Sequence, residues 1–150
     1  MKTALKSILL PAVVLACTLF QACGAGPDSV YSTRAAEDIG KAVTEAKAGN
    51  KRVLVDVGSK GCIWCVRLHS FITDDPELSQ LAARSFVTVR VDYRANAALL
   101  NGYGRVEGTP HFFVLDNDGK LLRSQDTAEL EAGKSYDRAK VLAFFKTWGN

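Results

Sequence analysis

No apolar run in this 150-residue chain is long enough to cross a bilayer. The longest, from Ile8 to Phe20, is interrupted by Pro11 and falls short of the roughly 18 residues a spanning helix needs. Nor is there a basic stripe interleaved with aromatics, so nucleic-acid binding has no footprint here. The formal charge of +3 owes much to Lys2 and Lys6; without them 17 of the 19 basic residues remain against 16 acidic ones. Internal repeats and low-complexity segments are absent. The glycine-rich stretch Gly102 to Gly108 is one residue too long for a dinucleotide fingerprint and follows no strand. Asp116-Asn117-Asp118-Gly119 lacks the further ligands of a calcium loop and suits a turn. Cysteine numbers only four, with a single C-x-x-C, so the second C-x-x-C of a paired zinc motif is missing. What remains is an ordinary globular composition, 47% hydrophobic and 23% charged, at a length that favours one domain with a real core.

The first 22 residues have the order of an export signal: a basic start at Lys2 and Lys6, an apolar stretch, then small residues. Two end points stay open. One is ordinary cleavage among the small residues Ala22 to Gly26. The other is lipoprotein processing, since Phe20-Gln21-Ala22-Cys23 is similar to a bacterial lipobox and would make Cys23 the lipid anchor. Cys17, after Val14-Leu15-Ala16, is a second candidate with a very short signal. The expected organisation is a signal over residues 1–22, a tether over 23–33 around Gly26-Pro27-Asp28-Ser29, and a folded domain over 34–150. Gly24 after Cys23 favours the outer membrane by lipoprotein analogy. If Cys17 leaves with the signal and Cys23 carries lipid, only Cys62 and Cys65 remain, in a compartment where disulfides persist. A bridge across two residues closes too small a loop to add much stability, so its purpose is chemical.

Periodicity predicts the elements. Ala36, Ile39, Val43 and Ala46 recur at helical spacing, with Ser32 or Thr33 as cap near Arg34 and Gly49-Asn50 as stop. Arg52 to Val57 is an apolar, β-branched run that reads as a buried strand. A turn from Gly58 to Gly61 leads into a helix from Cys62 to about Ile72, and Pro76 opens a short helix to Ala83. Phe86 to Val91 is a second strand, and Asn96 to Asn101 a short helix. The strands His111 to Leu115 and Lys120 to Arg123 flank a hairpin turn at Asp116 to Gly119. Ser135 caps a last helix with Val141, Leu142, Phe145 and Trp148 on one face. This order predicts an α/β fold, a mixed sheet with helices on both faces. Tyr31, Phe144 and Trp148 read as core or surface aromatics.

The chemistry centres on Cys62-Ile63-Trp64-Cys65 at the start of a helix, directly after a buried strand. Unpartnered N–H groups and the helix dipole stabilise a thiolate at that position. Cys62 is therefore the nucleophile, and Cys65, one turn in and more buried, the resolving thiol. Asp56 lies six positions earlier in the apolar strand, where a charge is costly. Its bland alternative is a strand-end aspartate facing water.

These features resemble the thioredoxin-like superfamily, and the resemblance covers about Val30 to Trp148. It rests on Val53-Leu54-Val55-Asp56 before the dithiol, the dithiol opening a helix, and Gly108-Thr109-Pro110 leading into His111 to Leu115. Asp74-Asp75-Pro76-Glu77-Leu78 followed by Phe86 to Val89 is similar to the subgroup of secreted and fused domains that includes the C-terminal domain of the electron carrier DsbD. The resemblance implies a thioredoxin-like fold, Asp56 assisting proton transfer at Cys65, and a cis Thr109-Pro110 bond. It also implies a substrate edge at Trp64, Thr109, Pro110 and His111. Gly61 stands where the family often has tryptophan, Ile63-Trp64 replaces Gly-Pro, and Thr88 stands where a lysine would meet the buried acid.

The expected function is that of an exported thiol–disulfide oxidoreductase reducing protein or peptide disulfides through a Cys62–Cys65 disulfide, without cofactor. It would be a periplasmic monomer, recycled by a redox partner and touching the membrane only through its lipid. The competing reading is a periplasmic metal-binding protein or metallochaperone using Cys62, Cys65 and either His69 or His111, because sulfur and imidazole suit zinc or copper(I). His69, four residues after Cys65, also reads simply as a surface residue.

Overall fold

In a computed structural model, residues 30–149 are described; the signal, Cys17 and the Cys23 anchor lie outside them. Helix α1 (Ala35–Gly49) precedes strand β1 (Arg52–Gly58), helices α2 (Ile63–Thr73) and α3 (Pro76–Ser85), and strand β2 (Phe86–Asp92). Helix α4 (Tyr93–Tyr103), the hairpin β3 (His111–Leu115) and β4 (Leu121–Asp126), a 3₁₀ turn (Thr127–Leu130), a two-residue ribbon β5 (Glu131–Ala132) and β6 (Ser135–Tyr136), and α5 (Arg138–Trp148) follow. The main sheet runs β2-β1-β3-β4, with β2 parallel to β1 and the other neighbours antiparallel. None of the helices among the described residues is long and apolar enough to cross a membrane.

Successive strand residues face opposite sides, and the sheet therefore separates two cores. Val53, Val55, Val57, Val91, Phe113 and Leu115 pack with α1 and Leu100 of α4. Leu54, Phe112 and Val114 pack with Leu68 of α2, Leu78 of α3, and Val141, Phe144 and Phe145 of α5. The thioredoxin-like arrangement read from the sequence is thus the observed one, with a mixed sheet and helices on both faces.

Differences from the sequence reading have local causes. Neither Ser32 nor Thr33 caps α1. Its first N–H, at Ala35, donates instead to Asn96 Oδ1 at 3.1 Å, while Asn96 Nδ2 donates to the carbonyls of Ser32 and Asp92. Those bonds explain why Asn96 is non-helical (φ −125°, ψ 17°) inside α4. Ser32 is held by a parallel bridge to Val91, so Tyr31 and Ser32, read as tether, belong to the fold. Ser135 lies in β6, and the α5 cap is Asp137, whose carboxylate accepts from Lys140 N at 3.0 Å. Strand β4 extends to Asp126 because Ser124, Gln125 and Asp126 pair with Phe113, Phe112 and His111 of β3, respectively.

Two packing details have measurable consequences. A side chain at Gly58 would collide with the Tyr31 ring, which covers the end of β1. Gly58→Ala is expected to cost about 1–3 kcal/mol in denaturant unfolding, and much less on a Tyr31→Ala background where the space is free. His111, 2% exposed, lies on the α1/α4 face with its ring 4.7 Å from that of Phe113. Its Nε2 bonds Ser124 Oγ at 2.9 Å, and burial holds its pKa below the ordinary 6.5. Below that ordinary value the unfolded chain binds a proton that the folded one resists, so stability falls as pH falls. Unfolding measured against pH should show this loss in the wild type, and His111→Gln should lack that component.

Candidate active site

The turn after β1 delivers the dithiol. Gly61 adopts a left-handed backbone (φ +78°), a conformation natural to glycine, and α2 begins directly afterwards. Cys62 is the N-cap of α2, and its Sγ accepts from Cys65 N at 3.1 Å. The sulfur therefore sits among the free N–H groups of the helix, whose first turn carries no acidic residue to offset their positive end. Cys62 and Cys65 form a disulfide. Cys62 is half-buried, whereas Cys65 is 1% exposed.

The loop before β3 closes against the outer sulfur. Thr109 lies with its carbonyl oxygen 3.4 Å and its Oγ1 3.5 Å from Cys62 Sγ, and the Thr109-Pro110 peptide is cis. Pro110 is buried, its carbonyl accepting from Thr127 Oγ1. Trp64, between the two cysteines in the chain, packs against the core on the α2, α3 and α5 side. Its indole meets the Tyr136 ring edge-on at 5.8 Å and carries the Arg67 guanidinium 4.6 Å above it. Burial, with the nearby Glu131 carboxylate, pushes the Tyr136 phenol up to about 12.

Asp56 is 2% exposed. Its Oδ2 accepts from His69 Nε2 at 2.5 Å and lies 3.5 Å from Arg90 Nε, while Oδ1 is buried without a hydrogen-bond partner. Arg90 is there because β2 pairs in register with β1, Asp56 opposite Arg90. This is the cation that Thr88 cannot supply. Tyr31 completes the cluster, its ring stacked on His69 at 6.0 Å and its hydroxyl 3.5 Å from Nε2. Burial, reinforced by the Asp56 charge, pushes the Tyr31 phenol well above its ordinary range, so it stays protonated.

Tyr31, Lys60, Cys62, Cys65 and His69 share one cleft. The structure thus sets Thr109, just before the cis Pro110, against Cys62 of the Cys62–Cys65 disulfide, puts His69 in the dithiol cleft, and pairs Asp56 with His69. His111 does not join them; it does not line the cleft, and its ring is turned to the other face of the sheet. Among the described residues no group of three or more His, Cys, Asp or Glu side chains could hold a metal ion. Sequence reasoning missed Tyr31 and Arg90. The signal for Arg90 lay in strand register alone, and Tyr31 had none, because it reaches the cleft from the far end of the chain.

A sulfur at a helix N-terminus, a buried second sulfur three residues on and a buried acid together support thiol–disulfide redox chemistry. Comparison with known proteins agrees. A comparison with curated proteins finds no match. Among solved structures, the chain is similar to the disulphide isomerase of Xylella fastidiosa Temecula1, with TM-score 0.66, 24% identity, and coverage of 76% of this chain and 90% of that one. It is also similar to the oxidised DsbD C-terminal domain of Neisseria meningitidis, with TM-score 0.56, 25% identity, and coverage of 80% and 99%. A thioredoxin from Thermus thermophilus gives TM-score 0.55 and 26% identity over 72% of this chain and 81% of its own. The family described as thioredoxin-like domain matches residues 39–131, more than half of the chain, and on that match this protein belongs to the thioredoxin-like family.

Proposed function

We propose that the chain is an exported thiol–disulfide oxidoreductase that reduces disulfides in proteins or peptides. The observation that carries this reading is Cys62 Sγ at the N-cap of α2, bonded to a Cys65 that is almost fully buried. In the reduced enzyme the Cys62 thiolate attacks a substrate disulfide and one substrate thiolate departs. Cys65 then loses its proton and attacks Cys62 of the mixed disulfide, and the second substrate thiolate leaves as the Cys62–Cys65 bond forms. A redox partner restores the dithiol. Asp56 suits the deprotonation of Cys65 and favours the reductive direction.

A protein segment fits the surroundings better than a small thiol. Ile63 and Val66 are 57% and 60% exposed beside the disulfide, and Val30, 42% exposed, lines the same cleft. Apolar surface of that kind is buried by an extended chain crossing it. Thr109 and Pro110 offer such a chain a backbone edge, and Trp64 a flat wall. His111 would act on substrate only through the position of that loop. The similar structure of a DsbD C-terminal domain in its oxidised form supports redox chemistry of this class. We place the chain in the periplasm as a monomer, held to a membrane by lipid on Cys23.

Cys62→Ser should abolish reduction of a peptide disulfide, whereas Cys65→Ser should accumulate a mixed disulfide visible by mass spectrometry. Full turnover by Cys62→Ser would refute the mechanism. Equilibration with a thiol buffer should place the pair near the reducing end, about −270 mV; a value nearer about −120 mV would make the chain an oxidant or isomerase instead.

A further inference from the structure

The buried Asp56 is bonded to a histidine, and that histidine faces two ways. His69 lies four residues after Cys65 on α2, so the imidazole stands on the same helical face as the resolving sulfur. It lines the dithiol cleft, and it also lines a second cleft behind Asp56, with Thr73, Thr88, Arg90 and Phe112. Among the described residues no other lines both. Asp56, buried under the sheet's surface, belongs to the second cleft only. With its side chain 20% exposed, His69 still reaches water.

We propose that His69, held in place by Asp56, is a positioning and proton-relay residue for the dithiol. The inference rests on the thiol–disulfide reading above. Because a carboxylate oxygen can only accept, the 2.5 Å bond to Asp56 Oδ2 assigns the proton to Nε2, and the neutral ring keeps Nδ1 as its acceptor. In the resolving step the Cys65 S–H bond breaks. Its electron pair forms the bond to Cys62 Sγ, the bond between Cys62 and the partner sulfur breaks, and that pair leaves on the partner thiolate. The Cys65 proton passes, through the solvent-open cleft that Cys65 and His69 share, to the free Nδ1 of His69, giving an imidazolium bonded to the Asp56 carboxylate, and then leaves to water; the partner thiolate takes a proton from water. Nothing is oxidised except the dithiol and nothing reduced except the substrate.

The neighbours favour this division of labour. Tyr31 stacks on the ring but stays a phenol, so it orients His69 without competing for the proton. Arg90 holds Asp56 Oδ2 from β2, and Asp56 Oδ1 is left without a partner. The titratable and charged groups facing the imidazole are Tyr31 from the chain's start, Asp56 from β1 and Lys60 from the turn. Cys62 and Cys65 face it from α2, and Arg90 and Asp92 from β2.

The test is pre-steady-state. The fully reduced full-length chain is mixed with a peptide disulfide, and formation and decay of the mixed disulfide are followed separately from about pH 5 to pH 8. In the wild type, decay should show an ionisation beyond that of the thiols. His69→Gln keeps an N–H for Asp56 but cannot carry a proton. It should slow decay by about 10²-fold and remove that ionisation, while leaving formation nearly unchanged. His69→Ala should do the same and regain part of the rate with added imidazole. A His69→Gln chain that melts like the wild type and keeps its decay rate and pH profile would overturn the proposal, leaving His69 a hydrogen-bond partner only. So would a His69→Ala chain whose decay keeps the wild-type profile. A wild type that forms no mixed disulfide at all would instead sink the underlying thiol–disulfide reading.

Discussion

Strand β1 lies between β2 and β3 and is buried on both faces, so alternate residues along it answer to different cores. Val53, Val55 and Val57 serve the α1 side, while Leu54 and Asp56 face α2, α3 and α5. That alternation sends a carboxylate into the apolar layer directly under the helix that carries the dithiol. The strand also ends at Gly58, where the missing side chain lets the Tyr31 ring settle over the sheet edge and reach His69. The placement of α2, and with it of Cys62 at a helix N-terminus, follows from where this strand stops.

A buried charge is tolerated only when it is paired and hydrogen-bonded. Asp56 meets that demand through two elements that the sheet and helix geometry bring to it: Arg90 by strand register and His69 by helix spacing. Neither saturates it, since one oxygen remains without a partner. In a core otherwise closed by Phe112, Val114 and Leu68, an unsaturated acid is a cost to stability. His111 is the contrasting case. It is equally buried and also short of a partner at Nδ1, but it lies on the opposite face, where burial simply keeps it neutral.

Much of this was legible in the order of residues. The apolar β-branched run of β1, the boundaries of β3 and the Pro76 start of α3 are local properties, visible as periodicity and turn chemistry. The position of Cys62 at a helix N-terminus and of a buried Cys65 one turn on was legible for the same reason, because a helix start is a local event. Caps were less so: Asn96 displaces the expected hydroxyl at α1 from 61 residues away. The polar end of β4 escaped because its edge strand gains its partners from β3 rather than from its own pattern.

What the sequence determined by itself was the chemistry available: two thiols at helix spacing, one acid in an apolar strand and a proline loop able to approach them. Each depends on neighbours within a turn or a strand, where chain connectivity limits the geometry. What only the tertiary structure decided was which groups meet. Strand pairing put Arg90 rather than Thr88 on Asp56, the pleat turned His111 away from the cleft, and the bridge from Ser32 to Val91 brought Tyr31 onto His69. Contacts between residues far apart in the chain depend on register and face, and both are set only when the sheet closes.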